Sequence, residues 1–116
     1  MLNDLARELK KNTDVLDMTF KKYNLQVLQF AYRPFDDNDA DCSLLIEVAS
    51  VEGNSIEKSV RIVVNLYDED GEIYMSERQP IFNYDFAGYD TYVIQLYNNG
   101  RTLKEAKSAR IFVSRS

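Results

Sequence analysis

From Leu25 onward the chain alternates. In "CSLLIEVASV" Leu44, Ile46 and Val48 hold one phase, and Leu45, Glu47 and Ala49 hold the other. A β-strand turns successive side chains to opposite faces, so a period of two buries one set and leaves the other outside. The same period runs through "SVRIVVNLY" with Val60, Ile62, Val64 and Leu66 in phase. It returns in "DTYVIQLY" with Tyr92, Ile94 and Leu96, and in "SARIFVSR" with Ala109, Ile111 and Val113. "NLQVLQFAYRP" predicts a first strand ended by Pro34, and "EIYMSE" a short returning one. Turn residues separate the strands: Gly53-Asn54, Asp70-Gly71, Gly88 and Asn98-Asn99-Gly100. Strands with one apolar face each must bury those faces against one another. The pattern therefore predicts a mainly β fold over residues 25–116, a two-sheet sandwich of six to seven strands with mostly antiparallel pairing.

Ahead of Leu25 the period is helical. Leu2, Leu5 and Leu9 are spaced by charged residues, and Leu16, Phe20 and Tyr23 continue the stripe through Thr13. Residues 1–24 are expected to form an amphipathic helical segment. Its apolar face can dock on the sandwich, or it can join copies of the chain into a structural homo-oligomer through Leu2, Leu5, Leu9 and Leu16. Asn12-Thr13-Asp14 can also stop one helix and cap a second.

Composition narrows the chemistry. A chain of 116 residues with 45% hydrophobic and 28% charged residues is long and apolar enough for one folded core. There is no histidine, which removes the commonest general base and the usual zinc ligand sets. Cys42 stands alone, so no internal disulfide is expected, and this points to a reducing, cytoplasmic compartment. No apolar run is long enough to span a bilayer, and none follows a basic start as in a secretory leader. The net charge of -5 is concentrated in residues 35–90, where only Lys58, Arg61 and Arg78 oppose the carboxylates. Such a surface repels phosphate, so nucleic acid is not an expected partner. No phosphate-cradling glycine loop or activated nucleophile is visible, and a non-catalytic role is expected.

Two acidic stretches carry the candidate sites. "LYDEDGEIYMSE", residues 66–77, partly matches a calcium-binding loop, with Asp68, Asp70, Gly71 and Glu77 in place. Leu66 occupies the position of the first ligand, and the flanks are β-branched before it and carry Pro80 after it. The stretch is read as a hairpin turn, with Asp68 bonding back to turn amides and Gly71 supplying a positive φ. In "FDDNDADC" Asp37, Asp39 and Asp41 have the spacing of a hard-cation site, an alternative in which calcium is bound by acidic end loops. This loop is expected to meet the 68–72 turn at one end of the sandwich. Tyrosines surround the second turn, and Tyr67, Asp68, Asp70, Tyr74 and Tyr97 form a candidate surface for a protein partner of basic character.

"VRIVVNLYDEDGEIY" followed by "FAGYDTYVIQLY" resembles the small bacterial Ig-like domains named for their Phe-x-Leu-Tyr-Asp (FxLYD) motif. Leu66, Tyr67 and Asp68 match the motif, while Val64 stands where it has phenylalanine; the likeness spans about a third of the chain. The resemblance implies an Ig-like antiparallel sandwich and a binding or accessory role, commonly outside the membrane. It brings no catalytic residues. By analogy with other sandwiches, Tyr89 in the Gly88-Tyr89-Asp90 corner is expected to tuck against backbone.

Overall fold

The computed structural model describes residues 1–115. The elements follow in the order α1 (Leu2–Lys11), β1 (Thr13–Val15), α2 (Asp17–Lys21), β2 (Leu25–Asp36), β3 (Asp39–Ser50), β4 (Val60–Tyr67), β5 (Ile73–Ile81), β6 (Tyr89–Leu96), α3 (Thr102–Glu105) and β7 (Ser108–Arg115). They make a mainly β molecule of two sheets, one in the order β1-β7-β4-β5 and one in the order β2-β3-β6. All pairings are antiparallel except that of β1 with β7.

The alternation sets the core. Leu44, Ile46, Val48, Ile94 and Leu96 from one sheet pack with Val60, Ile62, Val64, Leu66, Ile111 and Val113 from the other in one buried cluster. Each of these residues lies in the phase its sequence assigns. Tyr92 shares that phase and is partly buried.

Three boundaries depart from expectation. Pro34 does not end its strand: β2 runs on to Asp36, with Pro34 opposite Cys42. β2 is an edge strand, and β5, which holds Pro80, is another, so neither proline disrupts an interior ladder. "FDDNDADC" is therefore not an open acidic loop. It is the tip of a long hairpin in which Asp36 already pairs with Asp39.

The third departure is in the N-terminal segment. The helical stripe breaks at Thr13, and residues 13–15 form β1, in register with Ala109, Arg110 and Ile111. Thr13 ends α1 by donating its hydroxyl to the Leu9 carbonyl at 2.7 Å, and the Tyr32 hydroxyl lies 3.0 Å from Thr13 Oγ1. Burial pushes the Tyr32 phenol well above its ordinary pKa, so it remains a donor. Leu9 and Ala6 are buried, and Leu2 and Leu5 pack partly against the core. The leucine face of α1 thus docks on this chain's own sandwich, while Leu16 is left 40% exposed. Among the described residues no helix is long and apolar enough to cross a membrane.

Candidate functional site

The two acidic turns lie at the same end of the molecule. Cys42 pairs with Leu96 just short of the β2–β3 turn, and Tyr67 pairs with Ser108 just short of the β4–β5 turn. Residues 97–107, which include α3, carry the chain from β6 in one sheet to β7 in the other.

Asp41 anchors this crossover. It is 4% exposed. Its Oδ1 accepts the Asn98 N–H at 2.8 Å, the Thr102 hydroxyl at 2.7 Å and the Thr102 N–H at 3.3 Å. Its Oδ2 accepts the Gly100 N–H at 2.9 Å. Burial opposes its charge, but the Thr102 hydroxyl and these three amides outweigh burial and hold the carboxyl below its ordinary pKa. Asp41 is a structural anion that organises a loop, with both oxygens committed to the protein.

Asp37 and Asp39 do not converge on it. Asp39 accepts the Asp41 N–H at 2.9 Å, Asp36 accepts the Asn38 N–H at 2.7 Å, and Asp37 sits exposed at the hairpin tip. Among the described residues no group of three or more acidic, cysteine or histidine side chains gathers as a metal ion would require. Residues 66–77 form the expected hairpin. Asp68 Oδ1 accepts the N–H groups of Asp70 and Glu72 at 2.9 and 3.0 Å, and Gly71 takes a φ of 77°. Asp70 is exposed at its tip.

The tyrosines divide by environment. The Tyr74 hydroxyl donates to Glu105 at 2.6 Å and accepts from the Asn98 side chain, tying the β4–β5 hairpin to the crossover. Burial and the Glu105 bond raise its pKa. Tyr67 lies under the Arg110 guanidinium, 5.3 Å from its ring centre. Tyr97 alone of the three presents a large free face: it is 61% exposed and packs its ring against Phe35, itself 36% exposed, with centroids 4.9 Å apart. Tyr89 is not tucked against backbone. Its hydroxyl donates to Glu47 across the outer face of the β2-β3-β6 sheet.

Beside Phe35 an open groove of about 510 Å³ runs between the start of α1 and the β2–β3 hairpin, lined by Leu2, Pro34 and Phe35 and edged by Asp36 and Asp37. Phe35 was not a candidate on sequence grounds, because it stood next to a presumed strand-ending proline. The strand that continues through Pro34 is what brings it to the tip. Cys42 is fully buried, and burial together with the Asp41 charge pushes its thiol up to about 12, which leaves it unreactive.

No protein-family model matches the chain. No curated protein matches it either. Among solved structures it is similar to the crystal structure of Campylobacter jejuni cj0090, with 15% sequence identity and a TM-score of 0.44, over 90% of this chain and 98% of that one.

Proposed function

We propose that this chain is a non-catalytic interaction module of Ig-like architecture, and that its hairpin end receives a basic segment of a protein partner. The exposed Phe35–Tyr97 pair carries the reading. Two aromatic rings offer a stiff apolar platform at low entropic cost, which suits an interface anchor. Asp36 and Asp37 edge the adjoining groove, so a segment combining an apolar side chain with lysine or arginine would satisfy both features. Tyr67 and Tyr74 support the end of the fold, and Tyr97 supplies the contact area.

The Ig-like assignment draws support from the two facing sheets and from the parallel seat of β1 beside the last strand. The likeness is one of architecture. In the immunoglobulin constant arrangement the last two strands share a sheet, whereas here β6 and β7 lie in opposite ones.

The test is a titration of isotope-labelled protein with short peptides containing arginine and leucine, alongside acidic peptides of equal length. Amide shifts should cluster at Phe35, Asp36, Asp37 and Tyr97 for the basic set alone. The paired substitution F35A/Y97A should weaken binding about tenfold or more. Equal response to both peptide sets, or shifts that avoid this end, would refute the proposal.

A further inference from the structure

The edges of the two sheets are not equally protected. An edge strand exposes unpaired N–H and C=O groups, and folded proteins blunt such edges with proline, bulges, inward charges, short length or a covering element. β1 has only three residues. β2 has Pro34, an irregularity between Val27 and Gln29, and α1 packed along it. β5 has Pro80, an irregular register where it meets Tyr67, and the half-buried Glu77 on its core-facing side opposite Val64. β6 has only a charge at its start, Asp90 on the core-facing side opposite Val48, and a partial approach by β5 of the other sheet. Its eight residues, Tyr89 to Leu96, include no proline or glycine and follow β3 without a register shift.

The ladder shows which groups are free. The Ser50 N–H donates to the Gly88 carbonyl at 2.9 Å, immediately before the β3–β6 pairing begins. Antiparallel hydrogen-bonded pairs recur at every second residue, so Asp90, Tyr92 and Ile94 bond to β3. Thr91, Val93 and Gln95 turn their backbone groups to the open side. The Asp90 carboxylate meets the Thr91 N–H at 2.8 Å, and this is the one local cap along that edge.

We propose that β6 pairs antiparallel with β6 of a second copy of this chain, about a two-fold axis at Val93, so that each copy adds its three strands to one continuous sheet. Four features favour a second copy over a foreign strand. The register that puts Val93 opposite Val93 keeps the core-facing sides of both sheets on the same side, as a two-fold axis normal to the sheet requires. It sets Thr91 of one copy opposite Gln95 of the other, a neutral polar pair. It also places Asp90, the strand's lone charge, opposite Leu96, so the two carboxylates fall at opposite ends of the new ladder. On the outer face, Val93 is 48% exposed and continues the row Ala31, Leu45 and Val93, which pairing would extend across the axis.

Light scattering over a concentration series tests this directly. The wild-type mass should climb from that of one 13.5 kDa chain toward twice that value, and added salt should raise the dimer fraction because both copies are acidic. Val93→Lys and Val93→Glu lie on a half-exposed site, and each should stay at the mass of one chain while melting where the wild type melts at concentrations too low for pairing. Mixed in equal amounts, the two variants should recover the doubled mass, because the contact pairs residue 93 with itself. A wild-type mass of one chain throughout would overturn the proposal and leave the edge for another protein's strand. So would a dimer that V93K leaves intact, or a mixture that stays at the mass of one chain.

Discussion

At the scale of single residues, Asp41 and Thr102 decide how one end of the fold closes. A buried carboxylate is tolerated only where donors replace its lost water, and Asp41 meets the hydroxyl of Thr102 and three backbone amides. Asp41→Asn keeps one accepting oxygen but turns an NH₂ group toward this array of donors. The expected cost is about 3 kcal/mol, the scale of a charge-assisted bond lost and buried donors left unmet. Urea unfolding at neutral pH measures it. The pH dependence has a definite sign. The folded carboxyl lies below its unfolded value, so its contribution is fully present above the unfolded carboxylate range and fades as pH falls through the folded pKa. The stability gap between wild type and D41N should therefore narrow in strong acid. A gap independent of pH would mean that the substitution acts through shape alone.

Among whole elements, the N-terminal segment is where sequence and structure part most clearly. Apolar spacing can show that Leu2, Leu5 and Leu9 share a face, but it carries no information about what covers that face. The stripe continued through Thr13 because one polar residue does not interrupt a helical period. The break comes instead from a tertiary bond, the Tyr32 hydroxyl against Thr13, and from pairing of β1 with a strand almost a hundred residues later. The strands were legible for the opposite reason. Their two-residue period is written locally, and the phases it grouped, Leu44 with Ile46, Ile62 with Val64 and Ile111 with Val113, are the ones the fold buries. Docking of α1 makes Leu9→Ala costly, about 3 kcal/mol for a buried leucine truncated in a packed site. Met18→Ala, at a side chain 78% exposed on α2, should shift stability by no more than about 0.5 kcal/mol. Equilibrium denaturation of both variants checks this. Similar small effects would indicate that the helix is an appendage instead of a wall of the core.

Over the whole molecule, acidic residues from distant parts of the chain collect at one end, where the 36–41 and 68–72 stretches were expected to meet. Asp36, Asp37 and Asp39 belong to one hairpin, and Asp68, Glu69, Asp70 and Glu72 to the other. The crossover between them brings Arg101, Lys104 and Lys107, and Arg101 sits 3.7 Å from Glu105. Fixed cations therefore already share this end with the carboxylates. The D-x-D-x-D spacing was a fair signal of a cation loop, yet Asp37 lies in the turn outside β3, and Asp39 and Asp41, though on one side of that strand, are held by different groups: Asp39 accepts the Asp41 N–H, and Asp41 is taken up by the donors of the crossover. Calcium would have to draw Asp41 away from four hydrogen bonds to complete a three-aspartate site. Thermal unfolding in EDTA and in millimolar calcium should accordingly give the same midpoint. Since a ligand that binds only the folded state must raise that midpoint, an upward shift in calcium would mean that the acidic turns close on an ion and that Asp41 exchanges its loop for a metal.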